Sequence, residues 1–173
     1  KKLHKVLSDF GRPDMFDMSF FTPFAQWNPC PSHTNTDPEY DLWGFSWRPS
    51  FHTQSSSQCN PWLDEISTSD PFVYFIQINE DTGKDKGLKD GDIIWVENSI
   101  GKKIKGPVKL VQGMHPQHLG IAGCQGHWAK GQPVAKGKGQ FFDDLIIVDE
   151  VHTDSLTLGS DACVKLKIYK YNN

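Results

Sequence analysis

The densest group of ligand-capable side chains in this sequence is the run Arg48-Pro49-Ser50-Phe51-His52-Thr53-Gln54-Ser55-Ser56-Ser57. A guanidinium holds a phosphate in a bidentate fork, and hydroxyls and backbone N–H groups add neutral donors around it. One fixed charge among adaptable donors is what a polyanion requires. An ordinary polar loop has the same composition, so the run becomes a site only if other groups converge on it. Gly126-His127-Trp128 is a second candidate: the imidazole offers a hydrogen bond and the indole a stacking face, although a core Trp beside a partly exposed His reads the same way. Asp143-Asp144 supplies carboxylates of the type used in acid–base chemistry.

Other patterns carry less. Lys130 to Gly139 looks like a phosphate-binding glycine loop, but it has one residue too many between its glycines and no Ser or Thr after Lys138. His115-Pro116-Gln117-His118 brings two imidazoles together without a third or fourth metal ligand at useful spacing. Cys30, Cys59, Cys124 and Cys163 are scattered and form no Cys-x-x-Cys pair. They read as reduced thiols, which favours the cytoplasm.

The elements that must position these groups are mostly strands. Asp41 to Trp47 alternates Trp43, Phe45 and Trp47 with Gly44 and Ser46. Phe72 to Ile78 is a continuous apolar run, the pattern of a buried strand, and Asn79 is placed to cap a short helix after it. Asp90-Gly91 is a turn signal before Ile93-Ile94-Trp95-Val96-Glu97. The chain reverses at Gly101, returns through Lys103 to Val111 and continues in Leu119 to Ala122. Cys163 to Lys170 predicts a last strand with Val164, Leu166 and Ile168 inward and Lys165 and Lys167 outward. A short helix is expected over Lys1 to Phe10, and a short helix or turn over Cys59 to Ile66. A hairpin feeding further strands points to a small barrel.

The order of these pieces resembles a known family. Gly87-Leu88-Lys89-Asp90-Gly91-Asp92, a β-run, a Gly turn, a lysine-bearing β-run and a His-Pro turn are similar to the C-terminal dinucleotide-binding domain of molybdopterin oxidoreductases, the dimethyl sulfoxide reductase and formate dehydrogenase superfamily. Arg48, His52-Thr53 and Asn60-Pro61-Trp62-Leu63 match the family's pattern after its first strand. The resemblance covers roughly Tyr40 to Tyr169. It implies a mainly β, double-psi β-barrel (aspartate-decarboxylase-like) fold with short helices. It divides the chain into a linker or extension over residues 1–39, packing on a missing domain, and a cofactor-binding barrel over 40–173. The cofactor implied is molybdopterin guanine dinucleotide, with molybdenum or tungsten ligated elsewhere in a longer enzyme. The implied contacts are Arg48, Ser50, His52, Thr53, Gln54, Ser55, Asn79, Gly126, His127, Trp128 and Asp143. Asp143 stands where the family commonly has Asn, and an anion there is compatible with a pterin or guanine N–H edge rather than with phosphate.

On this reading the partners are the preceding domains of the same enzyme, with an iron–sulfur subunit as a further implied partner. The fragment alone is expected to be inactive. The implied compartment is cytoplasmic, with periplasmic open for the full-length enzyme. A formal net charge of -3 argues against a general nucleic-acid binder, and no apolar run approaches a membrane span. The aromatics Phe16, Phe20, Phe21, Phe24 and Trp27 lie in a polar, Pro-bearing stretch that cannot build its own core, so they are expected to be exposed when the domain stands alone. Two other readings remain. One is a partner- or substrate-binding double-psi module without a cofactor, like the adaptor domains of AAA ATPases. The other is a small self-cleaving decarboxylase-like enzyme, for which the only Gly-Ser step is Gly159-Ser160.

Overall fold

The computed structural model describes residues 2–11, 24, 27–154 and 157–172. It divides into two compact units: Lys1–Asn35 with Ile147–Asp161, and Thr36–Ile146 with Ala162–Asn173.

In the first unit, α1 spans Lys2–Asp9 and stops at Gly11, whose φ is +71°. The short helix α2, Pro31–Thr34, is tied to Asp161, whose Oδ2 accepts from Ser32 Oγ at 2.8 Å and from Ser32 N at 3.3 Å. Phe24 and Trp27 are 82% and 77% exposed. Phe16, Phe20 and Phe21 lie outside the described residues.

The second unit is a closed barrel of β1 (Leu42–Trp47), β2 (Ile76–Asn79), β3 (Ile93–Asn98), β4 (Lys103–Val111), β5 (His118–Ala122) and β6 (Val164–Lys170). Around the barrel the order is β1-β5-β2-β4-β3-β6. Two pairs are parallel, β1 with β5 and β2 with β4, and the rest are antiparallel. This is the double-psi β-barrel. Closure leaves no strand edge unpaired. Inward side chains follow the period of two: Leu42, Ile76, Ile78, Ile94, Val96, Val108, Leu119, Ile121, Val164 and Leu166 are almost fully buried. Phe142 and Leu145, from a single 3-10 turn at Phe142–Leu145, join the same core. In β1 the aromatic face is the outer one, since Leu42 and Gly44 are the buried positions.

Helix α3 (Pro61–Ser69) starts at Asn60, whose side chain accepts from Trp62 N. Helix α4 (Glu80–Asp85) starts at Asn79, whose Oδ1 accepts from Asp81 N and Thr82 N. The Asn79 cap follows the sequence expectation; the Asn60 cap is shown by the structure. Two local expectations are corrected. The strand expected from Phe72 begins only at Ile76, because the Asp70 carboxylate takes the N–H groups of Phe72 and Val73 and folds that stretch into a turn. Lys165 and Lys167 are half-buried rather than fully exposed. Lys165 Nζ lies 4.3 Å from the Trp43 ring centre, and Lys167 Nζ lies 5.0 Å from that of Tyr40 and 2.9 Å from Glu39 Oε2.

Candidate functional site

Strand register decides which residues can meet. β1 and β5 run in parallel, with Trp47 opposite Ala122, so Arg48 and Gly123 leave the barrel at the same end. β2 runs antiparallel to β5, with Ile78 opposite Leu119, so Asn79 leaves at the other end. Asn79 therefore does not join Arg48, and the expected convergence is corrected there. Its Nδ2 donates to Met114 O at 2.7 Å, and its Oδ1 caps α4.

At the Arg48 end the chain makes a cleft of about 370 Å3. Arg48, Gln54, Ser55, His127, Trp128 and Asp143 line it, together with Cys124, Ala129, Gln132 and Phe141. The Arg48 guanidinium lies directly over Gly123, in the space that any Cβ at that position would fill. Gly123 N donates to Trp47 O at 2.7 Å, closing the backbone beneath the guanidinium. Arg48 takes part in none of the ion pairs among the described residues. Asp143, exposed in the first turn of the 3-10 segment, gives the cleft its anionic group. Cys124 lines the same cleft, and both charges act on its thiol. Burial raises its thiol pKa, Arg48 lowers it and Asp143 raises it again.

The cleft wall is held in costly conformations. Gln54 and Cys124 have φ of +44° and +73°, a region that L side chains rarely adopt. Gly126, at φ +78°, packs its Cα against the backbone of Gln140 and Phe141 so tightly that a Cβ would overlap Phe141 N and Gln140 C. This contact, with Gly126 N donating to Lys138 O at 2.8 Å and Gly137 N to His127 O at 2.8 Å, holds the 127–138 loop beside the cleft. His127 Nε2 and Gln132 Oε1 are buried and have no hydrogen-bond partner among the described residues. A buried polar atom left unpaired costs about 1–3 kcal/mol, so each of these two atoms calls for a partner in the cleft, an ordered water or a ligand.

The remaining expected residues lie near the cleft without lining it. Ser50 is exposed in the turn where His52 N donates to Pro49 O. Thr53 is exposed, and its backbone N–H donates to Ser57 Oγ. His52 has both ring nitrogens engaged, with Ser57 Oγ at 3.0 Å and Ser67 Oγ at 2.7 Å. Gly126 is structural. Cys124, Gln132 and Phe141 were missed, since nothing in their sequence context distinguishes them from loop residues. A larger cleft, about 660 Å3, is lined by Tyr74, Lys105, Lys138, Gln140, Tyr171 and neighbouring residues and contains none of the expected set.

Among the described residues no group of three or more His, Cys, Asp or Glu is placed to hold a metal ion, and no helix is long and apolar enough to cross a membrane. The chain is 31% identical, over 81 residues, to the thiosulfate reductase molybdopterin-containing subunit PhsA of Salmonella typhimurium; the match takes in 47% of this chain and 10% of that protein. It superposes on acetylene hydratase from Pelobacter acetylenicus with a TM-score of 0.66 at 17% identity, covering 96% of this chain and 22% of that one. The chain thus spans about a tenth and about a fifth of these two proteins, and the second likeness shows the fold. The profile of the Molydopterin dinucleotide binding domain matches residues 42–153, well over half of the chain and all of the cleft. By that match the chain belongs to the molybdopterin dinucleotide binding domains, the cofactor-holding domains of the molybdopterin oxidoreductase family.

Proposed function

We propose that the cleft at the Arg48 end holds one part of a molybdopterin guanine dinucleotide. The observation that carries this reading is the pair of buried atoms, His127 Nε2 and Gln132 Oε1, that find no partner among the described residues, beside an Arg48 that pairs with no carboxylate among them. A dinucleotide supplies what each group lacks. Its pyrophosphate matches the guanidinium, which holds phosphate through paired N–H groups. The Gln54 amide and the Ser55 hydroxyl orient the same oxygens. The N–H edge shared by pterin and guanine suits the acceptors Gln132 and Asp143, and the exposed Trp128 indole offers a ring face. Asp143 thus has a place in an anion site because it faces the donor edge, away from phosphate. Ser50 and Thr53 lie outside the cleft lining, exposed on the same loop.

When bound, the cofactor supplies a redox-active molybdenum or tungsten, and the protein contributes binding, orientation and electrostatics. A cleft of about 370 Å3 takes only a portion of so large a molecule, so the remainder lies against preceding domains of a longer oxidoreductase. The exposed Phe24 and Trp27 are aromatics suited to cover such a neighbour. An iron–sulfur subunit is a further partner on this reading. The test is to purify the full-length protein natively and identify the organic cofactor by mass spectrometry with metal analysis. A pterin carrying GMP, with molybdenum or tungsten in proportion, is expected. A protein that carries no pterin overturns the reading.

A further inference from the structure

His52 does not line the cleft, yet it anchors the loop that does. Its Nε2 lies 2.7 Å from Ser67 Oγ on α3, and its Nδ1 lies 3.0 Å from Ser57 Oγ at the far end of its own loop. The neighbours fix the direction of each bond. Ser67 Oγ donates to Leu63 O at 2.8 Å, one helical turn back, so its single proton is committed and it receives the imidazole N–H. Ser57 Oγ accepts Thr53 N–H at 2.9 Å, which leaves its own proton for Nδ1. With Ser57 donating to Nδ1, the ring is neutral and carries its hydrogen on Nε2. The bonds run in one sense, from Thr53 N–H through Ser57, His52 and Ser67 to Leu63 O. They fasten the 53–57 segment to α3. Between the fastened ends sits Gln54, at φ +44°, with its carbonyl accepting from Gln58 Nε2. A left-handed Gln persists only where its surroundings hold it.

We propose that His52 is a positioning residue for dinucleotide binding, and that its protonation releases the Gln54–Ser55 segment from α3 and makes cofactor retention acid-sensitive. This rests on the proposed function in that Gln54 and Ser55 contact the cofactor. A proton added at Nδ1 faces the Ser57 hydroxyl, which must turn its own hydrogen away and breaks the one-way chain. The carboxylate acting on the ring is Asp64 on α3, and both of its oxygens are engaged, by Tyr74 OH at 2.8 Å and by Lys138 Nζ at 2.5 Å. Phe51 packs on the imidazole at 5.0 Å between ring centres. Burial lowers the His52 pKa from the ordinary 6.5, with Asp64 opposing. Since the folded value lies below the unfolded one, the contribution of His52 is complete above 6.5 and is lost as pH falls toward the lowered folded value.

Two measurements test this. Ring-nitrogen NMR of this chain is expected to show His52 neutral at neutral pH with its hydrogen on Nε2. An imidazolium, or a hydrogen on Nδ1, overturns the proposal. The second follows cofactor loss from the full-length protein at about pH 7.5 and about pH 5.5. Wild type is expected to lose cofactor roughly two- to tenfold faster at the acid pH, the worth of one hydrogen bond. His52→Gln, which keeps a donor toward Ser67 and does not titrate, is expected to lose it at one rate at both. If His52→Gln does not accumulate, Ser57→Ala takes its place, with a faster loss at neutral pH and a flattened profile expected. A variant that keeps the wild-type pH profile overturns the proposal. Arg48→Ala in the same assay separates the two ideas. Unchanged retention there brings down the function reading, whereas intact Arg48 dependence with a flat wild-type profile brings down only the role of His52.

Discussion

At the Asn79 end of the barrel the named polar side chains meet one another; at the Arg48 end several meet nothing. Asn79 uses both ends of its amide, Thr82 Oγ1 donates to Pro116 O at 2.8 Å, and Asp90 accepts from Leu110 N and from Lys109 Nζ, each at 2.6 Å. Across the barrel, Trp47 Nε1, His127 Nε2 and Gln132 Oε1 are buried and find no partner among the described residues, and Gln54 and Cys124 hold positive φ. The two ends share one core, so packing does not explain the contrast. Unpaired buried groups and backbone strain each cost free energy, and a fold keeps them where function requires them. One end closes the barrel, and the other carries the cleft of the proposed cofactor site.

The contrast can be broken first at Gly126. Gly126→Val puts a side chain at φ +78° into the backbone of Gln140 and Phe141. A loss of about 3 kcal/mol or more in urea unfolding is expected, combining strain with overpacking. A wild-type midpoint would mean that the loop wall is not fixed as described. At the closed end, Asn79→Ala removes the α4 cap and the bond to Met114 O. About 2 kcal/mol of stability should be lost by the same measurement, with m unchanged. A smaller effect concerns acid. The hydrogen bond from Lys109, then that from Leu110 N, holds the Asp90 carboxyl below its ordinary 3.8. That contribution is present above 3.8 and lost as pH falls through the lowered value. Acid unfolding curves of Asp90→Asn and wild type should therefore converge at the lowest pH and separate above it. Parallel curves would remove Asp90 from the account.

The strands were legible because alternation carries them: Lys103 to Val111 in the sequence is β4 in the structure. The Asn79 cap was legible because a short polar side chain before a helical run has one common use. What alternation does not encode is strand direction within the barrel, and direction placed Asn79 away from Arg48. His52 illustrates a second limit. Its residue type suits a ligand, but Ser57 and Ser67, five and fifteen positions on, occupy both its nitrogens. Gln132 illustrates the converse: an amide in a Gly/Lys loop carries no sequence signal until burial strands its oxygen.

The most direct test of the two-ended account compares Arg48→Ala with Asn79→Ala in the full-length protein, with bound cofactor measured per folded molecule after gel filtration. A charge-assisted hydrogen bond is worth roughly 1.5–3 kcal/mol, so Arg48→Ala should weaken cofactor retention about ten- to a hundredfold while leaving the unfolding midpoint nearly unchanged. Asn79→Ala should lower the midpoint and leave the cofactor content of the folded fraction at the wild-type level. Full cofactor in Arg48→Ala, or its selective loss in Asn79→Ala, would contradict the account.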